Sequence, residues 1–87
     1  MNKRKLLAKA LSGTKNLRFA DVVTLVKAFG FRLSRVKGSH HIFVHSKVRE
    51  LVNLQNVAGK AKPYQVQQLL EIVERYNLQL DDDEESS

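Results

Sequence analysis

Hydrophobic residues follow a helical period near both ends of the chain and a period of two in the middle. A short segment rich in Lys and Leu over residues 3–11 predicts a first helix. Over residues 19–29 the apolar positions recur every three or four residues, and Gly30 follows as a C-terminal cap, so the pattern predicts an amphipathic helix. The same spacing returns after Pro63, a residue favoured in the first turn of a helix, and predicts a final helix.

Between the second and the final helix, apolar and polar residues alternate, which predicts β-strands. The alternation covers three stretches, at residues 31–34, 41–45 and 51–55. Polar turns at 37–39 and 46–47 separate these stretches, so the strands are expected to form an antiparallel meander. The residues from Asn56 to Lys62 are expected to form a loop that leads into the final helix.

The order of these elements predicts an α+β fold: a helix, a three-stranded antiparallel sheet and a helix, preceded by an extra short N-terminal helix. Two helices covering one face of the sheet are the economical way to build a small core of this kind. The expected division of the chain is a helical extension at residues 1–17, an α-β-β-β-α domain at 18–80 and a disordered acidic tail at 81–87.

Length and composition limit the classes of protein that fit. A chain of 87 residues forms one domain with a small core, which argues against a deep substrate cavity. The absence of cysteine excludes disulfides and thiolate metal sites. The N-terminal apolar stretch is interrupted by Lys9 and stops at Ser12, so it predicts neither a signal peptide nor a membrane span. A cytoplasmic protein without a membrane partner is therefore expected.

Charge is unevenly distributed along the chain. The sequence has 15 basic and nine acidic residues, a net charge of +6, but five of the acidic residues lie at 81–85. Residues 1–80 therefore carry 15 basic and four acidic side chains, a net charge of +11. So dense a positive charge attracts polyanions, nucleic acid first and anionic membranes second. A basic surface that is merely well solvated is the alternative interpretation.

Three histidines lie within six residues, at His40, His41 and His45. A shared metal ion is disfavoured, because His41 and His45 would lie about 13 Å apart on one face of a strand. No carboxylate is close to His40 in the sequence. Neither a metal ion nor another cofactor is therefore expected.

General acid–base chemistry on RNA suits these residues better. RNA cleavage needs no protein nucleophile, because the neighbouring 2′-hydroxyl can attack the phosphate. A histidine that exchanges protons near neutral pH, together with a few cations, can accelerate that reaction. A short segment brings together two cations, a permissive turn, a hydroxyl and an imidazole: Arg35, Lys37, Gly38, Ser39 and His40. On spacing alone, a solvated polar turn remains an open alternative.

The run from Gly38 to Phe43, preceded by Gly30, Phe31 and Arg35, resembles the Gly-Ser-His strand signature of the HicA toxins. The resemblance covers about residues 19–80, and the chain resembles a variant with an N-terminal extension. It implies a double-stranded-RNA-binding-like fold and an mRNA interferase that cleaves RNA without a metal ion. It also implies a cognate HicB-type antitoxin that covers the site. The catalytic histidine of the family corresponds to His40, with His41 as the alternative.

A second group of cations precedes the final helix. Lys60 and Lys62 lie beside a helix N-terminus, where backbone donors and the helix dipole favour phosphate. The RNA-binding candidates are therefore Arg35, Lys37, Ser39, Lys60 and Lys62. One alternative function is a non-catalytic RNA-binding module of the same fold, in which His40 only contacts phosphate. Another is an interaction protein whose basic surface binds an acidic partner.

Overall fold

The computed structural model describes residues 2–81 and contains three helices and four strands. In chain order these are α1 (Lys3–Ser12), α2 (Phe19–Ala28), β1 (Arg32–Lys37), β2 (His40–His45), β3 (Val48–Val57), β4 (Lys60–Ala61) and α3 (Pro63–Tyr76). The predicted α+β class and the order of helices and strands are confirmed. The acidic run of the expected tail, from residue 82 onward, lies outside the described residues.

The ends of the helices follow from local side chains. The Asn2 side chain accepts a hydrogen bond from the Lys5 backbone at 2.9 Å and so caps α1. At the other end of the fold, Pro63 begins α3, and Asn77 ends it in the left-handed conformation (φ 53°, ψ 47°). None of the helices in the described residues is both long enough and apolar enough to cross a membrane.

The four strands form one antiparallel sheet in the order β1-β2-β3-β4. All three expected strands are present, although each is longer than predicted. The fourth strand corrects the prediction of a loop from Asn56 to Lys62, because Asn56 pairs with Ala61 and Val57 pairs with Lys60. Ala58 and Gly59 form the two-residue turn between them, with φ of 52° and 84°. Positive φ at both central residues is typical of a type I′ hairpin turn.

One face of the sheet carries the core, and we call it the inner face. Phe43 in β2 and Leu54 in β3 are buried there, beneath Leu25 and Val26 of α2 and Leu69 of α3. Residues directly opposite each other in a sheet share a face, so Phe43 aligns with Val52 of β3 on this side. The opposite face, called the outer face, contributes no residue to the core cluster.

The N-terminal helix is part of the same packed unit. Leu6 and Ala10 of α1 are buried in the core cluster together with Leu17 of the following segment. Burial of a Leu side chain stabilises the fold by about 2 kcal/mol, so α1 contributes to the stability of the domain that it covers.

The two edges of the sheet differ. At β4, the Ala61 backbone N–H donates to the Leu17 carbonyl at 3.0 Å, and the Phe19 N–H donates to the Gly59 carbonyl at 2.9 Å. The segment before α2 therefore closes that edge. At β1, all six residues are exposed, and no other described strand pairs with its free side.

Candidate functional site

His40 is the first residue of β2, whereas the predicted strand began at residue 41. The turn itself consists of Gly38, with a φ of 60°, and Ser39. A left-handed φ of this kind is readily adopted by glycine. In the sheet, His40 lies opposite Lys37 on one side and Gln55 on the other. Because Gln55 alternates with the buried Leu54, these three residues lie on the outer face.

A hydrogen bond to a neighbouring strand orients the His40 ring. Nδ1 of His40 lies 3.2 Å from Oδ1 of Asn53 in β3. An amide oxygen can only accept, so this contact requires a proton on Nδ1. In the neutral ring Nε2 then carries the lone pair, and the Nδ1 contact fixes the direction in which Nε2 points. His40 is partly buried, which further limits the motion of the ring.

A β-bulge brings the predicted cations to the same face as His40. Leu33 lies opposite the buried Phe43, yet two residues later Arg35 lies opposite Ile42. The register shift between Leu33 and Arg35 moves Arg35 to the outer face, where strict alternation would have turned it inward. Arg35 thus lies on the same face as Lys37, which is directly opposite His40.

Ser39 is held by β3. Its carbonyl accepts a hydrogen bond from the Asn56 backbone at 3.0 Å, and its hydroxyl accepts one from the Gln55 side chain at 3.2 Å. The Gln55 backbone N–H in turn donates to the side chain of the buried Gln65 in α3 at 2.7 Å. The turn before His40 is therefore tied to α3 through two consecutive polar contacts, both made by Gln55.

His41 faces the opposite way. It lies opposite Leu54 on the inner face, and its ring packs against Phe19 of α2 with a centroid distance of 4.7 Å. Its Nδ1 lies 3.3 Å from the Ser39 carbonyl, which only accepts, so Nδ1 is the donor. His41 is thus engaged by α2 and by the turn.

His45 is also engaged in packing. Its ring makes an edge contact with Phe31 at a centroid distance of 5.0 Å, and its Nδ1 accepts a hydrogen bond from the Lys47 backbone at 3.0 Å. The three histidines therefore lie in three separate environments. Within residues 2–81, no group of three or more His, Asp or Glu side chains is arranged to hold a metal ion.

The second predicted cation pair lies at the other edge of the sheet. Lys60 belongs to β4, two strands from β2, a distance of about 10 Å across the sheet. Its Nζ donates to the Asn16 carbonyl at 3.4 Å, while the Lys62 Nζ lies 5.9 Å from the centre of the Tyr64 ring. The structure therefore divides the five RNA-binding candidates into a group beside His40 and a separate pair that lines a groove with Lys15.

The charge of the sheet is also divided between the faces. Glu50 is the one acidic residue in the four described strands, and its carboxylate accepts hydrogen bonds from Tyr76 and Arg75 of α3. The Tyr76 hydroxyl, together with the Arg75 guanidinium, holds the pKa of the Glu50 carboxyl below its ordinary value. With that carboxylate turned to α3, the outer face around His40 carries cations without a neighbouring acid among residues 2–81. An imidazole beside such cations can move a proton and stabilise negative charge on a phosphate.

The sequence analysis missed three residues that hold His40 and the turn before it: Asn53, Gln55 and Gln65. Asn53 lies 13 positions from His40 in the chain, and only the strand register makes it a neighbour. The alternation of β3 does place Asn53 and Gln55 on one polar face, and this was the available signal.

Comparison with known proteins gives one match. A family model described as the HicA toxin of bacterial toxin–antitoxin matches residues 19–74, which is more than half of the chain. No curated protein and no solved structure gives a significant match. The matched segment begins at the first residue of α2 and reaches into the last turn of α3.

Proposed function

This chain belongs to the HicA family and is a toxin of a toxin–antitoxin system. We propose that it is a metal-independent endoribonuclease that cleaves mRNA with His40 as its catalytic residue. The observation that carries the proposal is the outer-face geometry: Asn53 fixes the imidazole, and Lys37 lies directly opposite it. The HicA family has an antitoxin partner, and we expect a HicB-type protein that covers His40. We also expect toxin and antitoxin to act in the cytoplasm, where mRNA is available.

The first chemical step is proton removal from the RNA. The His40 Nε2 lone pair accepts the proton of a 2′-hydroxyl while that oxygen attacks the adjacent phosphorus. The new bond joins O2′ to phosphorus, and the bond from phosphorus to the 5′-oxygen breaks. The leaving oxygen takes up a proton from the imidazolium or from water. The products are a 2′,3′-cyclic phosphate and a 5′-hydroxyl, and the histidine is regenerated.

Asn53 acts through His40 as a positioning residue. Its Oδ1 holds the proton on Nδ1, at a separation of 3.2 Å, and so keeps the lone pair on Nε2. A histidine whose other nitrogen is held in this way has a defined tautomer and ring direction. Without that contact the ring samples more orientations, and fewer of them direct Nε2 at a hydroxyl.

The cations supply the electrostatic part of the mechanism. Arg35 and Lys37 lie on the same face as His40, where they balance the negative charge that grows on the phosphate oxygens. The tethered Ser39 shapes the turn beside them. Lys60 and Lys62, at the β4 edge, bind phosphates of the RNA that lie further from the scissile bond.

The decisive experiment compares His40→Ala with His41→Ala in the purified full chain. His40→Ala should lower the cleavage rate by about 10²–10⁴-fold, the usual contribution of a general acid–base group. His41→Ala serves as the matched control, since it removes the same side chain from the inner face. Equal loss of cleavage in both variants, with both folded, would argue against His40 as the proton acceptor.

The substrate provides an independent check on the mechanism. Cleavage should stop when the RNA carries a single 2′-deoxynucleotide at the scissile position, and it should persist in excess EDTA. Cleavage of the deoxy-substituted RNA would contradict attack by the 2′-hydroxyl. Loss of cleavage in EDTA alone, restored by a divalent cation, would contradict the metal-independent mechanism.

A non-catalytic RNA-binding module is the second candidate function, and the separate pair at Lys60 and Lys62 favours it. These lysines lie about two strands from His40, so they can bind phosphate without any chemistry at the imidazole. In that case RNA affinity falls steeply with added salt, because bound cations release counterions from the nucleic acid. Recovery of intact RNA after incubation with the wild-type protein would support RNA binding without cleavage.

A further inference from the structure

The free edge of β1 is a template for an additional strand. All six residues from Arg32 to Lys37 are exposed, and in the described part of the chain β1 has a strand on one side only. An exposed edge strand offers backbone N–H and C=O groups that another chain can pair with. The β4 edge is different, because Leu17 and Phe19 already take up its backbone hydrogen bonds.

The side chains of β1 form two rows with different chemistry. Leu33 and Val36 lie opposite Phe43 and His41 on the inner-face side, yet they are 43% and 51% exposed because the helices do not reach over β1. The outer-face row is cationic and consists of Arg32, Arg35 and Lys37. No acidic residue occurs in this strand.

We propose that the antitoxin docks by adding an extended segment to the free edge of β1. In that segment, apolar side chains face Leu33 and Val36, and carboxylates face the cationic row, since side chains on neighbouring strands meet on the same face. The effect on catalysis rests on the proposed function: the carboxylates neutralise Arg35 and Lys37 beside His40. The docking itself requires no cleavage activity.

Charge selects an acidic partner over a second copy of this chain. Two β1 edges paired with each other would bring two cationic rows together, and like charges on neighbouring strands are unfavourable. The bulge between Leu33 and Arg35 further disturbs a regular pairing of two identical strands. An acidic segment brings neither a second cationic row nor a second bulge. Its carboxylates are attracted to the three cations of β1.

The test uses two matched double variants of the full chain. Leu33→Lys/Val36→Lys places charge on the apolar row of β1. Leu51→Lys/Val57→Lys makes the same change in β3, at side chains that are 57% and 45% exposed. Both are combined with His40→Ala to prevent toxicity. The probe is the cognate antitoxin protein, titrated calorimetrically. We expect the β1 variant to bind at least about tenfold more weakly, a loss of about 1.4 kcal/mol, and the β3 variant to bind within about threefold of the wild type.

Hydrogen exchange followed by mass spectrometry tests for strand addition itself. Exchange of the amides of residues 32–37 should slow when the antitoxin binds, since a new strand pairs with the free edge. Protection elsewhere with unchanged exchange in β1 would overturn the proposal. So would equal weakening in the two double variants, absence of binding, or a stable dimer of this chain that Leu33→Lys/Val36→Lys dissolves.

Failure of this proposal and failure of the proposed function give different results. A chain that does not cleave RNA but gains protection in β1 refutes the nuclease and leaves the docking intact. A chain that cleaves RNA through His40 while the antitoxin leaves β1 unprotected refutes only the docking. The circular dichroism spectrum of Leu33→Lys/Val36→Lys should match that of the wild type, which shows that the variant is folded whether or not the chain cleaves RNA.

Discussion

His40 and His41 are adjacent in the chain and lie on opposite faces of β2. His41 packs against Phe19 and donates to the Ser39 carbonyl, so both its ring and its Nδ1 are engaged in the fold. His40 lies opposite Lys37 on the outer face, and Asn53 fixes its Nδ1. The same side chain therefore stabilises the core at one position and faces the basic surface at the next. The difference arises from the period of two in a strand, which gives neighbours different surroundings.

The largest expected effect concerns the covered face. Phe43→Ala should destabilise the protein by about 3–5 kcal/mol, because Phe43 is completely buried and its removal leaves a cavity. The neighbouring Val44→Ala, at a half-buried outer-face position, should cost less than about 1.5 kcal/mol. Urea unfolding monitored by circular dichroism measures both. Similar losses in the two variants would show that the faces do not differ in packing as described.

His41→Ala should lower stability by about 2 kcal/mol. The variant loses the ring contact with Phe19 and the hydrogen bond to the Ser39 carbonyl. Cleavage by the folded fraction should stay within a few-fold of wild type. The comparison of the two histidines fails if His41→Ala is as stable as wild type while cleavage is abolished.

Asn53→Ala should reduce cleavage about tenfold, equivalent to about 1.4 kcal/mol in the barrier, with little change in stability. Asn53 is half-buried, and its described role is to accept a hydrogen bond from His40 Nδ1. Asn53→Asp keeps the acceptor and should retain more activity, with a shifted pH–rate profile, because a carboxylate favours the charged imidazole. An unchanged rate in Asn53→Ala would remove Asn53 from the mechanism.

Glu50→Gln should give the smallest effect, and one that depends on pH. The pKa of Glu50 is lowered, chiefly by the Tyr76 hydroxyl, so its contribution to stability is present above the pKa of the unfolded chain. The contribution is lost as the pH falls through the lowered pKa of the folded state. Thermal unfolding should therefore show wild type slightly more stable than Glu50→Gln at neutral pH, and the two should converge in acid. A difference that persists at the lowest pH would contradict the assignment.

The helices could be predicted from the sequence because their signals are local. The apolar period of residues 19–29 matches the helix Phe19–Ala28, and Pro63 begins the final helix as expected. The strand β4 could not be predicted, because two residues contain too little alternation and the turn uses Ala58 at positive φ in place of the usual Asn.

For the candidate site, the sequence indicated the residue types but not their neighbours. The run from Arg35 to His40 suggested the cations and the imidazole, whereas the bulge that turns Arg35 outward leaves no mark in the sequence. Asn53 was missed for a related reason, since its contact with His40 depends on the register between two strands. Lys60 and Lys62 were expected with the others and lie at the far edge, because β3 lies between β4 and β2.

The closed β4 edge limits aggregation. Fibrous β-assemblies grow because each added strand pairs through one edge and exposes its other edge to the next strand. In this chain, Leu17 and Phe19 occupy one side, so growth there would require breaking their backbone hydrogen bonds. Two molecules that pair through β1 would form a closed twofold dimer with no edge left to extend. The sheet can therefore be strongly basic and open on one side without serving as a seed for polymerisation.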